Sequence, residues 1–291
     1  MTRRMRLASV ALLCLPTLAW AEPIGFVGSF DQLFRVDYGT NQSTLVGSSI
    51  EFADVEGLAF APDGTLFGIS DASKQLIRIN TSTGKGALVG ATGLIGQGVG
   101  QFDALDFGLA FTYDGRLWAS SATVNKLWRV DPGTALATLV GSTGAHISGL
   151  AARGNDLYGI GSNGNENLYR IDTTTGAATL VGPLFPGQTV HYGNAGLDFG
   201  ANGILYGVLN YSPTQPNRPS DLVRINVDTG AAQILGQTVI DSDALALAPP
   251  AAPLAAGPPP IPALSPPMLT LLALLALLLG AAGVARRAER S

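Results

Sequence analysis

Between residues 24 and 248 the hydrophobic positions fall in short runs separated by Gly, Asp, Asn, Thr and Pro. Runs of this length, with apolar and polar positions alternating and turn residues at their ends, predict β-strands joined by tight turns. One sentence recurs five times: Leu-x-Arg-[Ile/Val]-[Asp/Asn], a turn ending in Thr-Gly, then Leu-Val-Gly or a close variant. The copies start at Leu33, Leu76, Leu127, Leu168 and Leu222, at intervals of 43, 51, 41 and 54 residues. A repeat of this length, filled with short strands, is the mark of a β-propeller.

Aligning the copies gives four strands to each. The first carries Gly-Leu-Ala-Phe or a relative: Gly57 to Phe60, Gly108 to Phe111, Gly149 to Ala152 and Gly196 to Phe199. Turns such as Pro62-Asp63-Gly64 and Tyr113-Asp114-Gly115 follow, with the Asp-Gly chemistry a hairpin needs. The second strand runs over Leu66 to Ile69 and its equivalents; the third is the Leu-x-Arg strand, and the fourth ends in Leu-Val-Gly. The ends of the region are incomplete. The first copy has three strands (Ile24 to Gly28, Leu33 to Val36, Thr44 to Val46), and the last has one, Ala244 to Ala248. One strand plus three makes a whole blade, so the expected fold is all-β: a five-bladed β-propeller over 22–249 with 1+3 strand closure of the ring. Closure of this kind hides two sheet edges. A sixth blade would have to lie in 91–105, which is too Gly-rich for four strands.

Within the third strand Leu76 and Arg78 point one way, Ile77 and Ile79 the other. Apolar residues on both faces mean that both are covered. The repeated arginines Arg35, Arg78, Arg129, Arg170 and Arg224 read as a structural bond made once per blade, with a turn group such as Asp63 or Asp114 as the expected partner. The Asp or Asn after each of them reads as turn chemistry.

Composition narrows the partners. The region 22–249 holds eleven Lys and Arg against twenty Asp and Glu, a net of −9. That balance disfavours nucleic acid and anionic membrane surfaces. The one cysteine, Cys14, lies in the expected leader, so the mature chain has neither disulfides nor thiol chemistry. The turns between first and second strands, and between third and fourth, are short and constant; the other connections are long and irregular. Binding usually sits on variable loops, which places a site at the mouth of the central channel on the variable face. The polar residues that enter each first strand are its candidates: Asp54, Glu56, Asp103, Asp106, His146, His191, Asn194, Asp241 and Asp243. Carboxylates with His or Asn can hold a divalent cation, calcium by oxygen ligands, or serve as acid and base in lactone or ester hydrolysis. Tyr192 and Tyr211 are expected as exposed aromatics for ligand contact. No nucleophile elbow, His-Glu-x-x-His or Walker loop is present, and the glycines of 93–100 open no helix.

The two ends carry targeting patterns. Arg3, Arg4 and Arg6, the apolar run Leu7 to Leu18 and Ala19-Trp20-Ala21 form a signal peptide over 1–21. After the Pro/Ala-rich linker 250–260 come Ile261, Pro262, Leu264 and Ser265, a charge-free helix over 268–284 long enough to span a bilayer, and Arg286, Arg287 and Arg290. The segment 261–291 resembles the IPTL-CTERM protein-sorting domain, a relative of the PEP-CTERM signals, on those residues. Ala263 stands where that family usually has threonine, and Pro266 and Pro267 where an acidic residue and tryptophan are common. The resemblance implies export in a Gram-negative bacterium, an inner-membrane-anchored precursor, an exosortase-type sorting enzyme, and delivery to the cell surface or beyond. The body loosely resembles NHL and SMP-30-type extracytoplasmic propellers in repeat length and blade pattern. The expected function is a binding or structural module of the envelope or matrix, with a glycan or surface protein as ligand; the alternative is a metal-dependent hydrolase or lactonase at the channel mouth.

Overall fold

The computed structural model describes residues 22–97 and 104–251. The expected leader, Asp103, most of the linker, the sorting residues and the helix 268–284 lie outside the described residues. Alternation and turn chemistry give four-stranded antiparallel sheets arranged as blades. The first blade contains β1 (Ile24–Ser29), β2 (Gln32–Asp37) and β3 (Gln42–Val46). The second holds β4 (Val55–Phe60), β5 (Leu66–Ser70), β6 (Gln75–Ile79) and β7 (Gly86–Ala91). The third holds β8 (Phe107–Phe111), β9 (Leu117–Ser121), β10 (Lys126–Val130) and β11 (Ala137–Ser142). The fourth holds β12 (Ile147–Arg153), β13 (Asp156–Gly161), β14 (Asn167–Ile171) and β15 (Ala178–Pro183). The fifth holds β16 (Asn194–Phe199), β17 (Leu205–Asn210), β18 (Pro219–Ile225) and β19 (Ala232–Ile240).

The last strand, β20 (Ala244–Ala246), joins the first blade in the order β20-β1-β2-β3. The protein is therefore a five-bladed β-propeller, closed one strand plus three as its sequence predicts. The closing contact is short, with only Phe26↔Ala246, Val27↔Leu245 and Gly28↔Ala244 in register. Among the described residues of 92–106 there is no further strand.

The apolar faces pack between blades. One cluster joins Phe67, Ile69 and Leu76 of the second blade to Phe107, Leu109 and Leu117 of the third; another joins Tyr158, Ile160 and Leu168 of the fourth to Leu197, Leu205 and Val223 of the fifth. Two sets of glycines set the spacing. At the axis, a Cβ on Gly108 would stand 2.9 Å from Gly149, and one on Gly196 would stand 2.7 Å from the Asp243 carbonyl. At the periphery, a Cβ on Gly141 would stand 1.9 Å from the Thr175 carbonyl, and Gly47, Gly90 and Gly182 meet Thr83, Thr134 and Thr229 in the same way. The Leu-Val-Gly glycine of each blade is thus the seat of the next blade's Thr-containing turn. The ring closes with Gly236 against Asn41.

Each of those turns is built by its Asp or Asn. Asp131 Oδ1 accepts the N–H groups of Gly133 (2.8 Å) and Thr134 (2.9 Å), and Asn80 Oδ1 those of Ser82 (2.9 Å) and Thr83 (3.0 Å). This is the expected side-chain capping of a turn.

The repeated arginines are a correction. Arg35, Arg78, Arg129 and Arg170 are exposed, and the turn acids are engaged elsewhere: Asp63 accepts from Thr65 N, and Asp114 pairs with Arg116 at 3.2 Å. Each arginine instead stands opposite an aromatic on the neighbouring strand: Phe26↔Arg35, Phe67↔Arg78, Trp118↔Arg129, Tyr158↔Arg170 and Tyr206↔Arg224. The guanidinium of Arg78 lies 5.3 Å from the Phe67 ring centre, and that of Arg170 5.3 Å from the Tyr158 ring. Geometry decides this outcome, because a long side chain on a strand reaches its cross-strand neighbour before it reaches a turn.

Candidate functional site

The short hairpin turns occupy one face of the ring, here called lower, and the irregular connections the other. At the waist Glu56, Gly57, Gly108, Ser148, Gly149, Gly196 and Asp243 leave a void of only ≈ 10 Å³, too little to pass a water molecule freely. Above the waist the channel opens into a funnel of ≈ 390 Å³. It is therefore a blind cup that opens on the upper face.

Strand entries place the acids in this cup. Asp54 and Glu56 come from the start of β4, Asp106 from the residue before β8, and Asp241 and Asp243 from the approach to β20; Asn163, Asn194 and Asn210 add amides to the lining. Asp54, Asp106 and Asp241 hold left-handed φ values of 55°, 51° and 52°, a conformation Asp tolerates better than most residues. Asp71, at the upper end of β5, lies behind them fully buried. Its Oδ2 accepts the N–H groups of Leu105 (2.7 Å) and Asp106 (2.9 Å), and its Oδ1 stands 2.8 Å from the Lys74 ammonium. Glu56, 8% exposed, accepts the Phe107 N–H through Oε2 at 2.9 Å. Asp54, Glu56 and Asp71 each offer a carboxylate oxygen within 4.8 Å of the others.

Crowding shows in the proton affinities. Burial, then the Asp71 charge, pushes Asp54 up to about 6. Burial, then Asp71 and Asp54, does the same to Asp106, also to about 6. Glu56 and Asp243 are pushed well above the carboxylate range, by burial first and by neighbouring carboxylates after it. Lys74 is the one basic side chain paired with an acid of this cluster among the described residues. The arrangement can attract a cation, or hold protons near neutral pH.

The other candidates part company. His146 is exposed, with Nδ1 2.6 Å from the Ala122 carbonyl, and does not line the cup. His191 pairs with Glu166 at 3.1 Å beside Phe185 and Gln188, in a separate hollow. Tyr192 and Tyr211 are not exposed contacts but core residues, at 2% and 0% exposure. The Tyr192 hydroxyl donates to the Gly161 carbonyl (2.8 Å), and that of Tyr211 to Asp221 Oδ2 (2.7 Å). A tyrosine in a loop anchors that loop when its ring finds the core and its hydroxyl an acceptor. Asp71 and Asn210 escaped the sequence reading because they end second strands rather than begin first ones. The signal available was the position itself, which carries Asp71 and Asn210 in two repeats where the others carry Ala122 and Ser162.

No protein-family model matches the chain, and no curated protein matches it in sequence. Three solved structures are similar at a distance. A protein of unknown function from Bacteroides caccae has TM-score 0.47 and 11% identity, over 77% of this chain and 98% of its own. Virginiamycin B lyase from Staphylococcus aureus has TM-score 0.42 and 18% identity, over 74% of this chain and 69% of its own. A protein of unknown function from Bacteroides thetaiotaomicron has TM-score 0.44 and 13% identity, over 63% of this chain and 52% of its own. At this distance none of them speaks to activity.

Proposed function

We propose that the chain is an exported binding module whose ligand seat is the acidic cup, and that the cup takes a divalent cation, calcium by the character of its donors. The observation that carries this is the convergence of Asp54, Glu56, Asp106, Asp241 and Asp243 on one blind cavity, backed by Asp71 and with Lys74 as the balancing charge. The donors are oxygens, with no thiol and neither histidine in the lining, and hard oxygen ligands suit calcium or magnesium better than softer metals. A seated cation with open coordination positions would in turn recognise a hydroxyl-rich glycan or a carboxylate of a surface protein. The leader and tail patterns support display at the cell surface after sorting by an exosortase-type enzyme. Calorimetric titration of the purified chain with calcium tests the seat. One saturable site, lost in Asp54→Asn, is expected; the absence of binding by calcium, magnesium and manganese would overturn it.

A second reading has its own support. Asp54 and Asp106 both titrate near 6, so one can be protonated while the other is ionised, as acid–base hydrolysis requires. That reading predicts turnover of lactones or esters that disappears in Asp106→Asn, and no turnover across such a panel would remove it.

A further inference from the structure

The repeat is broken at one half-buried position beside the seam of the ring. In the Gly-Leu-Ala-Phe strands the third residue faces the aromatic of the second strand: Ala59↔Phe67, Ala110↔Trp118 and Ala151↔Tyr158. The closing strand keeps the rule, with Ala246↔Phe26. In β16, the innermost strand next to β20, the same position is Asp198, opposite Tyr206. A carboxylate here costs desolvation that alanine does not, so it calls for a compensating role.

Its bonds supply one. Asp198 Oδ1 accepts the N–H of Phe199 at 2.8 Å, and Oδ2 the N–H of Leu247 at 2.7 Å, with Ala248 N–H as a further donor. In the other blades the innermost strand runs on into a hairpin whose own backbone bonds fix its lower end, such as Ala61 N to the Thr65 carbonyl. Among the described residues no strand follows β20, so no hairpin there fixes that end. Residues Ala248 and Pro250 instead lie across the lower end of the channel with Phe60, Phe111 and Phe199. The backbone pairing that shuts the ring spans three residues, and Asp198 grips the chain just beyond them.

We propose that Asp198 is the latch of ring closure and, through β20, the positioning residue for Asp243 and Asp241 in the cup. The second half rests on the cup being the ligand seat. Desolvation raises the Asp198 carboxyl to about 7 against the pull of its backbone donors.

Amide hydrogen exchange of the purified full chain, with calcium titration alongside, tests this. Asp198→Ala restores the residue of the other blades; Asp198→Asn keeps one side-chain acceptor and the shape. In Asp198→Ala the amides of 244–248 should exchange about tenfold faster or more, the loss of one charged hydrogen bond, while those of β8 stay unchanged. Asp198→Asn should fall between it and the wild type. Calcium affinity should weaken in the same order. Unchanged exchange at 244–248 in both variants, or an equal rise in every blade, would overturn the latch. Faster exchange with unaltered calcium affinity would overturn the positioning role. A wild type that binds no calcium would refute the positioning role together with the ligand seat, while exchange would still decide the latch.

Discussion

The two faces of the ring follow opposite rules. On the lower side and periphery one pattern is obeyed almost without exception: a Thr-containing turn, capped by Asp37, Asn80, Asp131, Asp172 or Asn226, seats on a glycine of the neighbouring blade. At the upper rim the equivalent strand entries differ in every blade, and with the ends of the second strands they bring five carboxylates and three asparagines together. Constancy holds the blades together, and variation makes the cup. The lesson is that a repeat reports its function where its copies disagree, and its folding where they agree.

The comparison breaks most severely at the inter-blade seats. Gly141→Val should cost on the order of 3 kcal/mol or more, or prevent folding, because its Cβ has backbone 1.9 Å away and overpacking against a backbone cannot be relieved by a rotamer change. Gly115→Ala is the control: φ there is 81° but nothing lies within 4 Å, so only the left-handed strain of about 1 kcal/mol is lost. Gly141 has no positive φ to strain, so equal losses in chemical denaturation would contradict inter-blade seating as its role.

The cup gives the next effect, through pH. Asp54 and Asp106 are raised to about 6 and Asp198 to about 7. The folded chain holds these protons more tightly than the unfolded chain, whose carboxyls titrate near 4, at about 3.9 for Asp. Their contribution is therefore full below about pH 4 and is lost as pH rises through 6 and 7. Without divalent cations, denaturation midpoints should fall from pH 5 to pH 8, and Asp54→Asn should flatten part of that fall. A midpoint that rises across this window would contradict the crowding described at the rim.

The smallest effect sharpens the lower rule. Four of the five turns place Gly or Asn at the left-handed position, and the third blade places Ala135 there at φ 71°. Ala135→Gly relieves that left-handed strain but removes a methyl fully buried in the core between the second and third blades. Strain relief against glycine entropy and about 0.8 kcal/mol of lost burial should leave stability within about 1 kcal/mol of the wild type. Calorimetry should read a Tm change of only a few degrees at most.

Much of the fold was legible in the chain because strands, hairpin turns and blade count are local and periodic. The 1+3 closure followed from counting strands at the ends. What stayed hidden is contact between copies. Gly141 and Thr175 belong to different repeats, and nothing in either copy announces the other. The arginine partners were missed because the aromatic opposite them changes from Phe26 and Phe67 to Trp118, Tyr158 and Tyr206, which conceals a fixed geometry under varied residues. At the site, the rule that strand entries face the mouth found Asp54, Glu56, Asp106, Asn194, Asp241 and Asp243. It misassigned Tyr192 and Tyr211, since polarity near a rim says nothing about whether a loop folds its tyrosines inward. It also overlooked Asp71, whose place behind the cup depends on the packing of β5 against the chain before β8.

The most direct test of the central claim, that the acidic cup is a cation seat, is the melting temperature of the purified chain at pH 7.5 as a function of calcium concentration. A rising Tm is predicted, equivalent to about 2.7 kcal/mol at a hundredfold excess over Kd, together with a higher Tm of Asp54→Asn in the absence of calcium and no calcium response in that variant. A flat wild-type curve up to millimolar calcium, or an undiminished response in Asp54→Asn, would contradict it.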